Sequence, residues 1–362
     1  MPLLISYFPI EEWQICSKII LACKNMNFCR IRYLNKGGTL VVVKKRPIVF
    51  LAGGQGAQFT GMGISQFEND PIFRETMNSL LSGPILSPIK QAWLNGSEEI
   101  INKSSFTQPL LIALGVASSR SLTARGVRPD ALLGHSAGEF ALAIFAGLMS
   151  DEETHYVLEN RYEILKYGSS GSMQAVRSNS RVIESLIRNN ELSAWIAADN
   201  SPAQCLVSAE CEILAKFVEI ANENSILSLP ATSDMPFHSP LVKEKALEIE
   251  EILTKVQLSE LQVPMISGST GSWISYAECL QPKFWSDQIW KRVKFWSALD
   301  VLLQQEWTIV DLGPGTGISA IVSGHPSVRS GKSEVISLMP ARRQDQFADW
   351  LQKVKYIEKI CS

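Results

Sequence analysis

The chain has 362 residues, with 34 Lys and Arg against 36 Asp and Glu for a net charge of −2. That balance offers no basic face to a nucleic-acid backbone. Hydrophobic residues make up 46%, enough for a large core, but no apolar run approaches the roughly 20 residues that span a bilayer.

Residues 1–45 read as an N-terminal extension that ends in the turn-like NKGG and the strand-like TLVVVKK. Glu11 and Glu12 interrupt its apolar stretch and no small-residue cleavage site follows, so it lacks a signal-peptide layout. RPIVFLAGGQGAQ predicts a buried strand, Ile48–Ala52, running into a glycine-rich turn. TQPLLIALGVASSRSLTARG has helical spacing. DALLGHS predicts a strand, Ala131–Leu133, then a turn, Gly134–Gly138, and a helix to near Gly147. Ser150 and Glu153 form a capping box for the next helix. Residues 172–237 follow the order βαββαβ, the pattern of a ferredoxin-like insertion. Strand–helix alternation resumes after it, and 346–362 reads as a C-terminal helix. The expected fold class is α/β, with a largely parallel sheet. The core, 46–171 and 238–345, is expected to be α/β-hydrolase-like and interrupted by the ferredoxin-like subdomain.

Seven cysteines without a C-x-x-C pair indicate reduced thiols and a cytoplasmic protein. Four histidines with no H-E-x-x-H pattern give no expectation of a metal site.

Three residues stand out chemically. Ser136 lies in G-x-S-x-G at a predicted strand-to-helix turn. Small flanking residues allow the turn to be sharp, the hydroxyl to stand clear, and the next backbone N–H to face a developing oxyanion. A structural or phosphate-binding turn would use the same pattern. Arg161 sits between Val157, Leu158, Ile164 and Leu165, in the middle of the apolar stripe of its helix. A guanidinium there needs an anion. That anion is either a protein carboxylate or the carboxylate of a substrate held bidentately. His238, in PFHSPL, is the candidate base, although an isolated histidine is more often structural. His135, next to the serine, is expected to point away across the turn.

Several ordered motifs resemble the malonyl-CoA:acyl-carrier-protein transacylase family, which includes the acyltransferases of fatty acid and polyketide synthases. They are GGQGAQ at 53–58, GHSAGE at 134–139, Arg161, ADNSPAQ at 198–204, PFHSPL at 236–241, FWSDQI at 284–289 and DLGPGTG at 311–317. The resemblance covers about residues 46 to 345. It implies a Ser136–His238 dyad working by ping-pong acyl transfer. The N–H groups of Gln55 and Ala137 would form the oxyanion hole, and a main-chain carbonyl near Gln288 would hold the histidine. Arg161 would bind a malonyl carboxylate, and Asn200 would shape the pocket. Phe237, before the histidine, goes with malonyl in polyketide acyltransferases. Ala137, smaller than the family's usual residue, leaves extra room. The implied substrate is malonyl-CoA and the implied partner a phosphopantetheinylated acyl carrier protein. No bound cofactor, membrane or nucleic acid is implied.

Without a ketosynthase or carrier motif in the chain, the expectation is a discrete, trans-acting monomer of polyketide biosynthesis. Three rivals remain at this level. One is an acyl hydrolase clearing carrier proteins. Another is an esterase-type hydrolase using His325 with Asp311. The third is an inactive docking module. The extension could be a docking element, an oligomerisation arm or a start-site artefact.

Overall fold

The computed structural model describes residues 30–34, 40–44, 46–339 and 346–361. It divides into two units, residues 1–46 and 47–362. In the first, β1 (Arg30–Leu34) pairs antiparallel with β2 (Leu40–Lys44), from Arg30 opposite Lys44 to Leu34 opposite Leu40. The rest of the extension, and its role, lie outside the described residues, as do residues 340–345.

The second unit is built on a parallel sheet of five strands. These are β3 (Ile48–Ala52), β4 (Ala131–Gly134), β9 (Met265–Ile266), β10 (Thr308–Pro314) and β11 (Glu334–Met339), in the order β11-β10-β3-β4-β9. Strand β3 is buried at every position because the sheet is covered on both faces. Successive side chains alternate between the faces. Ile48, Phe50 and Ala52 enter one cluster, with the helices Ser104–Ala124, Ala137–Phe145 and Asp151–Leu165. Val49 and Leu51 enter a second, with the helix Phe295–Leu302.

The smaller sheet contains β5 (Gly171–Val176), β6 (Ala194–Ser201), β7 (Gln204–Glu210) and β8 (Ser228–Pro230), all antiparallel, in the order β6-β7-β5-β8. Two helices, Ser180–Asn189 and Cys211–Glu223, complete the βαββαβ order of a ferredoxin-like unit. The sheet closes at Pro230, earlier than the expected boundary at 237, so residues 231–237 form an irregular return segment toward the core. The stretch between β3 and Ser104 folds into four short helices that hydrophobic spacing alone did not announce: Ile64–Asn69, Pro71–Leu80, Gly83–Leu94 and Glu98–Ile101. Among the described residues, no helix is long and apolar enough to cross a membrane.

Candidate active site

Ligand sites of open parallel sheets lie beyond the carboxyl ends of the strands. Here the turn after β3 carries Gln55, and the turn after β4 carries Ser136. The turn after β4 has almost no free space. A Cβ on Gly134 would come within 2.1 Å of Glu139 Cα, and one on Gly138 within 2.2 Å of the Ala52 carbonyl oxygen. Both glycines are therefore required by close backbone approach. Ser136 is held at φ 54°, ψ −123°, a conformation L residues rarely adopt. The helix starts at Ala137, whose N–H, in the first turn, has no intrahelical acceptor. The Gln55 turn lies directly against this elbow. A Cβ on Gly54 would meet His135 O at 2.8 Å and Ser136 Cβ at 2.9 Å. The turns that carry the two expected oxyanion donors thus meet at the same serine.

Ser136 Oγ lies 2.8 Å from His238 Nε2. The other ring nitrogen, Nδ1, lies 2.9 Å from the carbonyl oxygen of Lys291. A carbonyl only accepts, so Nδ1 carries the proton and Nε2 is free to accept the serine hydroxyl. His238 is itself at φ 58°, and its backbone N–H donates to Ile289 O at 2.7 Å. The segment after the helix Pro282–Ser286 therefore grips the histidine twice. Burial pulls the His238 pKa down to about 4; the Lys291 carbonyl opposes this, His135 adds repulsion, and the Gln288 carbonyl gives a lesser opposing contribution. The histidine support expected near Gln288 comes chiefly from Lys291, three residues farther on. The Gln288 side chain instead lines the cavity beside the serine and faces Glu139, the last residue of GHSAGE. Burial raises the Glu139 pKa to about 7, against opposing hydrogen bonds that include the Gly268 N–H at 3.0 Å from its Oε2.

The cavity beside Ser136 is lined by Gln108, Ala137, Phe140, Arg161, Phe237, Gln288 and Ile289. Arg161 reaches it from the helix Asp151–Leu165, whose Ser150–Glu153 capping box is formed. Arg161 is only 3% exposed, with its guanidinium 5.5 Å from the centre of the Phe140 ring. Its Nη2 donates to Gln108 Oε1, while its Nε is buried without an acceptor. Among the described residues no carboxylate pairs with it. Burial pulls its pKa down to about 10, with no anion to offset the loss of water. Among the described residues, the alternative, an ion pair with a protein carboxylate, is not formed. An anionic group entering the cavity would meet a prepared, under-satisfied cation.

Gln108 was missed by the sequence reading. A glutamine buried in an apolar helix, just before Pro109, was the available signal. Phe237 packs beside the His238 imidazole, its ring centre 6.5 Å away. Asn200 is placed elsewhere. It is absent from the cavity lining, and its Oδ1 lies 2.9 Å from Nε2 of His135, which points away from the cavity as expected. His325 lies outside the site. It caps the short helix Pro326–Arg329 and its Nε2 is 3.0 Å from Asp300, not Asp311. Asp311 is buried in the middle of β10, where it accepts from Gly313 N. The His325–Asp311 pairing is therefore not formed.

The family model described as "Acyl transferase domain" matches residues 49–349. The chain is 25% identical over 303 residues to a polyketide synthase of Streptomyces halstedii, covering 82% of this chain and 5% of that protein. It is 26% identical over 292 residues to the malonyl CoA-acyl carrier protein transacylase of Bacillus subtilis (strain 168), covering 76% of this chain and 89% of that one. The chain thus spans only a small part of the polyketide synthases it matches. Among solved structures, the acyltransferase domain from the second module of the salinomycin polyketide synthase superposes with a TM-score of 0.78 at 22% identity. The matched region covers 87% of this chain and 74% of that one. At that identity the likeness shows the fold alone.

Proposed function

Because the chain belongs to the acyl transferase domain family, we propose that it moves a malonyl group from malonyl-CoA to the phosphopantetheine thiol of an acyl carrier protein. The observation carrying this reading is Arg161, a buried guanidinium with no carboxylate partner among the described residues, on the same cavity as Ser136. The name of the Bacillus subtilis relative is in keeping with it.

In the proposed cycle Ser136 attacks the thioester carbonyl while His238 Nε2 takes the hydroxyl proton. The N–H groups of Gln55 and Ala137 stabilise the oxyanion of the tetrahedral intermediate. The carbon–sulfur bond breaks, His238 returns the proton to the departing thiolate, and malonyl remains on Ser136. A carrier thiol then reverses these steps, with His238 accepting its proton and returning it to Ser136 Oγ. Gln108 steers the guanidinium, and Arg161 holds the malonyl carboxylate. Phe237 fills the space an α-methyl group would take, which favours malonyl over methylmalonyl, and the small Ala137 leaves extra room beside the acyl group. The setting is polyketide biosynthesis, with the protein acting in trans.

Intact-protein mass spectrometry after mixing with malonyl-, methylmalonyl- or acetyl-CoA, with and without phosphopantetheinylated carrier protein, tests this. A malonyl adduct that moves to the carrier is expected. Equal loading by acetyl-CoA would remove the argument from Arg161. Release of free acid in preference to transfer would replace the transferase with an acyl hydrolase.

A further inference from the structure

We infer that Asp234 is a positioning residue that ties together the catalytic and the acyl-reading sides of the cavity, an inference resting on Ser136 as the acylated residue. The helix Ser104–Ala124 has Lys103 at its N-cap position and no cap from its own side chains. The missing acceptor comes from far along the chain: Ser104 N–H donates to Asp234 Oδ1 at 2.9 Å. The Ser104 hydroxyl donates to the same oxygen. A carboxylate at this position satisfies a first-turn amide and complements the helix dipole. The hydroxyl oxygen of Ser104 in turn accepts from Gln55 Nε2 at 2.9 Å, and that same Nε2 lies 3.2 Å from the carbonyl oxygen of Thr232. The directions are unambiguous, because the carboxylate only accepts and the amide nitrogen only donates.

Each end of this network leads to a working group. Gln55 belongs to the turn expected to supply an oxyanion donor. Ser104 lies one helical turn before Gln108, which holds Arg161. Asp234 lies in the irregular return segment, four residues before His238. The other anchors of that segment bind it to the small sheet: Ser172 Oγ donates to Ser233 O at 2.7 Å, and Ala231 N to Met173 O at 3.0 Å. Asp234 and Thr232 attach it to the core. One carboxylate therefore sets the spacing between the histidine's segment, the oxyanion turn and the helix bearing Gln108.

The test uses the full chain and two assays. The first is the rate at which a fluorophosphonate modifies Ser136, which requires the dyad and oxyanion hole but no malonyl group. The second is steady-state malonyl transfer. Asp234→Ala should lower the phosphonylation rate and kcat by roughly tenfold, because small displacements of catalytic groups are costly, while KM changes little. Asp234→Asn keeps an oxygen that accepts both Ser104 bonds and should restore most of the rate. Ser104→Ala removes one of the two acceptors of Gln55 Nε2 while leaving the helix amide on Asp234, and should fall between the two. Wild-type rates in Asp234→Ala, or an Asp234→Asn variant as slow as the alanine, would overturn the inference. So would a loss confined to KM. If Asp234→Ala does not fold, Ser104→Ala decides alone, and wild-type phosphonylation in it overturns the inference. A wild-type protein that is phosphonylated but never malonylated would refute the malonyl reading and leave the role of Asp234 standing.

Discussion

The two walls of the cavity are built on opposite principles. On the catalytic wall each polar atom of the dyad has its partner. Ser136 Oγ meets His238 Nε2, His238 Nδ1 meets the Lys291 carbonyl, and the histidine backbone is tied to Ile289. On the other wall Arg161 is equally buried, yet its single side-chain acceptor among the described residues is the neutral Gln108, and its Nε has none. In the proposed cycle the finished hydrogen-bond chain would act on any acyl group that reaches it, and the unfinished one would select the group that completes it. The difference separates reactivity from choice, and it predicts that mutations on the two walls fail differently.

The largest effect is expected at the serine. Ser136→Ala should abolish covalent labelling by acyl-CoA without disturbing the fold, since it deletes one hydroxyl. Peptide mapping after labelling checks this, and an adduct on any other residue would break the comparison at its root.

Next comes the histidine. His238→Ala should cut turnover by roughly 10²–10⁴-fold, the usual range for general acid–base catalysis. His325→Ala, in a residue bonded to Asp300 outside the site, should leave turnover unchanged. The pH profile sharpens the assignment. Catalysis needs the neutral imidazole, and burial lowers the His238 pKa to about 4. kcat/KM should therefore rise with pH through about 4 rather than through the ordinary histidine range. A limb near 6.5 would mean that the imidazole is solvated in the working enzyme.

These residues differ in how far the sequence disclosed them. Ser136 was legible because its two glycines answer steric demands that leave a pattern. Arg161 was legible because helical spacing places it among Val157, Leu158 and Leu165, all buried with it. The βαββαβ order was legible in hydrophobic rhythm. The Lys291 carbonyl was legible only to within three residues, as a main-chain carbonyl near Gln288 that the resemblance implied, because a main-chain acceptor carries no side-chain signature of its own. Asn200 was quoted within a motif, but its bond to His135 depends on how the two sheets meet. The four helices between β3 and Ser104 run from only 4 to 12 residues, so no long periodic stretch marks them.

The third prediction concerns selectivity. A desolvated carboxylate–guanidinium pair contributes on the order of 2–4 kcal/mol, so malonyl-CoA should exceed acetyl-CoA by roughly 30- to 1,000-fold in kcat/KM. Arg161→Ala should erase that preference, mainly by losing malonyl. Arg161→Lys should recover only part of it, because an ammonium lacks the planar fork. Steady-state loading with both esters checks this. If Arg161→Ala leaves the ratio unchanged, the guanidinium does not read the acyl group.

The smallest effect is the most direct test of the contrast between the walls, because it needs no substrate. A buried charge without a counter-charge destabilises the unliganded fold, and removing it with its neutral partner should help. Burial with no anion beside it pulls the Arg161 pKa down to about 10, so keeping the charge buried carries a cost on the order of 3 kcal/mol. Part of this is offset by the bond to Gln108, which Arg161→Met alone would strand. The double variant Arg161→Met with Gln108→Leu removes both polar groups at similar volume, and should raise unfolding stability by about 1–2 kcal/mol in urea titration. His238→Ala should do the reverse, by about 1–3 kcal/mol, because it opens a space and leaves the Lys291 carbonyl without its donor. Opposite signs on the two walls are the expected result. If the double variant is destabilised as much as His238→Ala, then Arg161 is satisfied in the free protein, and selection at this wall must arise from shape around Phe237 and Ala137.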